Sequence, residues 1–393
     1  MISRQIRIAQ SQPSRLLLLL VLLVSAAQLA RPQTFVTLYS FSGPDGVGPQ
    51  GSLLLDTVGN LYGSTYQGGA HSRGTVYRLA PDGTQTILYS FRGAPDATGP
   101  NGGLIRDGQG NLYGTSRNNG GHLSGAVFRI GSDGTEKVLH AFTNSPDGNE
   151  PLAGLVRDTD GNLYGTTFYG GDQRRDFGHG VVFQLSPDGA ETVLYTFTGG
   201  ADGSHPDSAL IRDAAGNLYG TTQDGGAFGL GTVFVVSPSG RERVLHNFAG
   251  GIDGAFPAGG LVRDGHGNLY GTCFRGGDLT CGDPAGCGIV FKLTPAGKKK
   301  TLYQFLGGDD GQYPYGLARD GKGNLFGTTA GGVHNSGTVF KLTPMGTKTL
   351  LYSFTGGSDG SAPSGVIRGK NGILYGVTLG GAFGFGTVFK VTP

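Results

Sequence analysis

The residues able to do chemistry recur at fixed places along the chain. Seven aspartates, Asp45, Asp96, Asp147, Asp202, Asp253, Asp310 and Asp359, each stand four residues before a proline that opens an apolar run. A ring of such carboxylates would suit a hard cation, which wants several oxygen ligands, or another polar ligand. The simpler chemistry is local: aspartate bonds the backbone of its own turn, and glycine follows in six of the seven. A feature shared by every copy is best explained by a task that every copy has.

Histidine breaks the repetition. His71, His122, His179 and His334 fall in glycine-rich loops, and His205 lies between two copies. Imidazole can ligate metal or act as a base, but no pair has the His-x-x-x-His spacing of a helical metal site. They read as solvated loop residues, available to a ligand. Arg106, Arg157, Arg212, Arg263, Arg319 and Arg368 end the proline-led runs, and Asp follows all but the last. They could ring an anion. Arg–Asp pairing between neighbouring copies is the simpler reading, with the aspartate also capping its turn.

Cys281 and Cys287 sit in the longest loop and predict a local disulfide in an exported protein. Cys273 reads as a buried free thiol, with Cys273–Cys287 pairing as the alternative. A cysteine zinc site lacks its paired ligands. The string Gly356-Gly357-Ser358-Asp359-Gly360 mimics a nucleophile elbow without the helix that one requires. Three of the four glutamates, Glu136, Glu191 and Glu242, lie beside tight turns. There is no phosphate loop and no tryptophan. The inventory assigns no catalytic residue, no metal and no cofactor.

The elements that position these residues form a repeat. Gly-Asn-Leu-Tyr-Gly begins at Gly59, Gly110, Gly161, Gly216 and Gly267, with variants at Gly323 and Gly372. The spacing of roughly 50 residues belongs to repeat architectures. One unit, Pro151 to Phe197, holds four short apolar runs separated by turns such as Asp160-Gly161 and Pro187-Asp188-Gly189, with no helical period. Four strands joined by hairpin turns and repeated radially make a β-propeller blade; a β-solenoid would have shorter repeats and parallel strands. Continuous apolar runs such as Val181-Val182-Phe183 fit sheets covered on both faces. The run Phe35 to Phe41 matches the fourth strand of a unit, and the last unit lacks one. The chain is therefore predicted to be all-β, a seven-bladed β-propeller of four-stranded blades closed by its N-terminal strand. The blades are 49–91, 100–142, 151–197, 206–248, 257–305, 314–354, and 363–393 with 35–41.

The motifs Gly-Asn-Leu-Tyr-Gly-Thr-Thr, then Gly-Gly, then Gly-Thr-Val-Phe-Lys-Leu-Thr-Pro (intact at Gly337 to Pro344) resemble those of secreted bacterial proteins built from the tandem GloVer repeat. The resemblance implies export and a repeat array, and no established activity. Some members carry a C-terminal surface anchor, which is not seen after the last repeat here.

The N-terminal segment agrees with export. Arg4, Arg7 and Arg15 precede the apolar run Leu16 to Val24, and Ser25-Ala26-Ala27 offers small residues for cleavage. Residues 1–27 read as a signal peptide, too short to span a membrane, and 34–393 as one propeller domain, secreted or periplasmic. Loss of the three arginines takes the formal charge from +2 to −1. With no basic block, nucleic acid is excluded as a partner. Long variable loops on a rigid scaffold are where binding sits. The expected function is a non-enzymatic binding or scaffold module whose loop face meets an extracytoplasmic protein or glycan. The seven junction aspartates, placed around the channel mouth, and the four loop histidines are its candidate ligand-binding residues. The alternative is a metal-assisted lyase or lactonase with its site at that mouth.

Overall fold

The computed structural model describes residues 33–119, 124–172 and 177–393; the signal-peptide segment and His122 lie outside them. Seven blades of antiparallel strands form the ring, four strands to a blade, with the innermost strand of blade 2 split into Ala97–Pro100 and Ile105–Arg106, which both pair with Leu112–Asn119. Blade 5 is typical: Ala255–Arg263 is innermost, followed outwards by Leu269–Arg275, Ile289–Leu293 and Lys299–Gln304. In blade 7 the order outwards is Ser361–Arg368, Leu374–Gly380, Thr387–Thr392 and then the N-terminal Thr34–Ser40. Phe35 pairs with Val391 and Ser40 with Thr387, so the first strand closes the ring as expected. The innermost strands of blades 3 and 4 are reduced to Val156–Arg157 and Ile211–Arg212. Among the described residues there is no α-helix, only 3-10 turns at Gly251–Asp253 and Gly308–Asp310, and no helix long and apolar enough to cross a membrane.

The repeated motifs build the joints between blades. The phenylalanine that ends each outer strand meets, edge to face, the aromatic ring of the next blade's third strand. Phe197 and Phe234 stand 5.1 Å apart, as do Phe354 and Phe389, while Phe41 meets Tyr77 at 5.2 Å. Such pairs add about 0.5–1.5 kcal/mol to what burial contributes. The last glycine of Gly-Asn-Leu-Tyr-Gly makes room for that ring within its own blade: a Cβ on Gly165 would lie 2.6 Å from Phe183 Cζ. The two motifs therefore depend on each other sterically.

One blade joint carries a charge pattern the repeat conceals. The first residue of the outer strand lies beside the junction aspartate of the preceding blade. In blades 5 and 6 it is lysine: Lys299 Nζ donates to Asp253 Oδ1 at 2.9 Å and Lys348 Nζ to Asp310 Oδ1 at 2.8 Å. In blades 2, 3 and 4 it is Glu136, Glu191 and Glu242, each with a buried oxygen that has no partner. Burial pushes all three carboxyls up to about 7; Asp96 adds to this at Glu136 and Asp202 at Glu242, while His140 works against it at Glu191. A raised folded-state pKa means a contribution present below the unfolded value near 4.5 and lost as pH rises through about 7. Melting temperature should therefore fall as pH rises from about 4.5 to about 7 and level off above that. The variant Glu136→Lys, Glu191→Lys, Glu242→Lys, which copies blades 5 and 6, should flatten that slope. The loss is on the order of 1–2 kcal/mol per half-buried glutamate, and equal slopes in both proteins would refute it.

Candidate functional site

The junction aspartates are not at the channel mouth, contrary to expectation. Each is held against the outermost strand. Tyr39 donates to Asp45 at 2.5 Å, Tyr89 to Asp96 at 2.6 Å, Tyr195 to Asp202 at 2.9 Å, Tyr303 to Asp310 at 2.6 Å and Tyr352 to Asp359 at 3.0 Å. His140 pairs with Asp147 and His246 with Asp253 in the same way. Each carboxylate also accepts a backbone N–H of its own turn, such as Thr198 N to Asp202. These bonds are the turn chemistry, and they place the carboxylates on the outer rim. The proline fixes where the inner strand starts but not the path of the connection before it, so spacing to the proline does not locate these carboxylates.

The arginines also differ from expectation. They stack over the aromatic ring of the preceding blade: Arg106 over Tyr62, Arg212 over Tyr164, Arg263 over Tyr219, Arg319 over Tyr270 and Arg368 over Phe326. The aspartate that follows each arginine but Arg368 does cap its turn, as when Asp158 accepts from Asp160 N and Asn162 N. The Cys281–Cys287 disulfide is present and Cys273 is a buried free thiol. His71 and His334 are exposed loop residues in different blades.

The mouth of the channel on the loop face is built from other residues. The residue before each inner-strand proline has a left-handed backbone: Gly48, Gly99, Glu150, His205, Phe256, Tyr313 and Ala362, with φ from 51° to 62°. Its N–H reaches back to the preceding blade, as in His205 N to His179 O at 3.0 Å and Tyr313 N to Cys287 O at 2.8 Å. The bend is thus an inter-blade latch. It needs only glycine, yet blades 3 to 6 carry large side chains there at a cost of roughly 1–3 kcal/mol each. Strain of this kind gathers where a side chain is needed for something else.

These side chains form a crown with their neighbours. His205 stacks on Phe168 at 4.8 Å, and its Nδ1 lies 3.1 Å from Asp224 Oδ2 and 3.1 Å from Ser204 Oγ. His179 Nδ1 reaches the same Ser204 Oγ at 3.0 Å, so of the described loop histidines His71, His179 and His334, His179 belongs here. Tyr313 stacks on Phe274 at 4.7 Å, Arg275 lies over its ring at 4.7 Å, and its hydroxyl donates to Asp283 at 2.6 Å. Arg275 is ion-paired to Asp283. Glu150 pairs with Arg117 at 3.2 Å.

Below the crown, the residue after each proline is again variable: Gln50, Asn101, Leu152, Asp207, Ala258, Tyr315 and Ser364. Burial raises the Tyr315 phenol of blade 6, and the Asp207 carboxyl of blade 4 adds to this, so the two groups lie near each other at the inner strands. Beneath them the inner backbones close tightly: a Cβ on Gly51 would lie 2.6 Å from Gly103 N. We take the loop-face end of the inner strands, where polar Gln50, Asn101, Asp207 and Ser364 stand below aromatic Tyr313 and His205, as the candidate vestibule. Sequence reasoning missed Asp207, Phe256, Tyr313 and Tyr315. The signal was available in the two positions flanking a repeated proline, which are free to differ between copies. Among the described residues no three His, Cys, Asp or Glu side chains converge to hold a metal.

Fold and site together define a β-propeller with a sequence-divergent vestibule on its loop face. The Gloeobacter/Verrucomicrobia repeat model matches residues 27–176, 144–283 and 280–393, and the chain belongs to that family. No curated protein matches it in sequence. Among solved structures it is similar to the extracellular domain of a B. thetaiotaomicron protein assigned as a hybrid two-component system, at 14% identity and a TM-score of 0.58. That match covers 92% of this chain and 41% of the other. It is also similar to a gluconolactonase of Xanthomonas campestris, at 19% identity and a TM-score of 0.46, over 77% of this chain and 89% of that one.

Proposed function

We propose that this is an exported, non-enzymatic binding module that takes an extracytoplasmic ligand, in preference a glycan end, in the loop-face vestibule. The observation that carries the reading is the strained position before the proline. Glycine serves there in blades 1 and 2, yet Glu150, His205, Phe256 and Tyr313 stand there in blades 3 to 6. Aromatic faces beside paired charges suit a sugar ring, which offers C–H groups to a π-face and hydroxyls to carboxylates and guanidinium groups. The closed floor suits the end of a chain and not its middle. The similarity to an extracellular domain supports the propeller fold, and the signal-peptide reading of residues 1–27 supports export. The test is a glycan array probed with the mature protein, followed by calorimetry. Binding to glycans with a common terminal residue is expected; binding that ignores the terminal residue would contradict end recognition.

A further inference from the structure

Resting on the reading that this vestibule is the working site, we propose that its ligand presents a protonated amine to the Asp207 carboxylate, as the free-amine residue of an amino-sugar glycan does. Asp207 follows Pro206 at the vestibule floor, and its Oδ1 is buried with no hydrogen-bond partner. The carboxylates of the crown each have a side-chain partner: Glu150 pairs with Arg117, Asp224 lies against His205 Nδ1, and Asp283 pairs with Arg275. Asp207 is therefore the carboxylate left over. A desolvated carboxylate either keeps its proton or takes a counter-cation.

The groups around Asp207 agree. Beyond burial, its own backbone N–H and the nearby His205 favour its charge while Asp224 opposes it, and Tyr315 lies near it. Burial pushes its carboxyl up to about 7, so a bound ammonium would supply what the protein omits. Phe274 meets Tyr315 edge to face at 5.9 Å and stacks on Tyr313, which gives the site π-faces that favour a cation. Ser364 at the same level also has a buried hydroxyl without a partner, and Gln50 and Asn101 offer further groups for ring hydroxyls. An acidic ligand would meet uncompensated negative charge and is selected against.

The experiment compares glucosamine, N-acetylglucosamine and glucose on the mature protein by ligand-observed NMR at pH 5.5 and 7.0. Glucosamine should bind at least about tenfold more tightly than the other two at pH 7.0. Its affinity should rise about tenfold from pH 5.5 to 7.0 as Asp207 loses its proton. Asp207→Asn should remove both effects. If the three sugars bind equally, the amine inference falls while the vestibule reading stands. If glucosamine does not bind, or binds Asp207→Asn as well as the parent, the inference also falls. The pH series on the parent protein decides the matter even where the variant folds poorly.

Discussion

Deleting Thr34 to Phe41 should lower the melting temperature of the mature protein by roughly 10 °C or more, in one cooperative step. The strand carries backbone pairing with Thr387–Thr392 from Thr34 to Ser40. Phe35 stacks on Tyr352 of blade 6 at 3.8 Å, and Phe41 is fully buried against Tyr77 of blade 1. Losing a buried phenylalanine alone costs about 3–5 kcal/mol, against a total of about 5–15 kcal/mol for a typical native protein. The deletion also exposes a sheet edge, so aggregation should accompany the loss. Scanning calorimetry of the deletion, with and without the excised peptide added back, measures the effect. An unchanged transition would show that the ring does not depend on its closing strand.

The second large effect is expected at a single glycine. Gly337 has φ of +96°, and a Cβ there would overlap Pro363 Cδ of the next blade and the Thr329 carbonyl. The equivalent glycines, among them Gly180 against Pro206 and Gly231 against Pro257, face the same obstruction. Both colliding partners are backbone or ring atoms that cannot rotate aside. Gly337→Ala should therefore cost roughly 2–5 kcal/mol, from the left-handed backbone and the overpacking together. Gly321→Ala is the control: nothing lies within 4 Å of its Cβ, and its φ is not left-handed. It should be neutral or slightly stabilising, because alanine restricts the unfolded chain. Equal melting of the two variants in denaturant titrations would contradict the blade-joint account.

The frame was legible in the sequence because it is periodic. Gly161 marks a turn, Val181-Val182-Phe183 a strand buried on both sides, and Phe41 a strand in search of a blade. Seven copies of each left little freedom in strand order. The disulfide was legible for a different reason, since Cys281 and Cys287 sit in one loop. The site was less legible for the complementary reason. Asp45 and its six equivalents attracted attention by repeating, but repetition marks a structural task, and their partners are the tyrosines and histidines of the outer strands. Asp207 and Tyr313 do not repeat. Their importance lies in a left-handed backbone before Pro314 and an orphan carboxylate oxygen after Pro206, and their one trace in the sequence is that the positions flanking the repeated proline differ between copies. His179 and His205 share Ser204 through a hydrogen-bond geometry that links a loop of blade 3 to the entrance of blade 4.

That division between a repeated frame and a divergent vestibule can be tested in one variant. Glu150→Gly, His205→Gly, Phe256→Gly and Tyr313→Gly, combined, give blades 3 to 6 the residue that blades 1 and 2 already have. Glycine accepts the left-handed backbone without strain, so the latch and the ring should survive. The decisive measurement is calorimetric titration of this variant and the parent with the tightest glycan from the array, alongside their melting curves. The account predicts a melting temperature near that of the parent and a loss of affinity of at least about a hundredfold, or about 2.7 kcal/mol. Undiminished binding by a well-folded variant would show that the ligand sits elsewhere on the propeller.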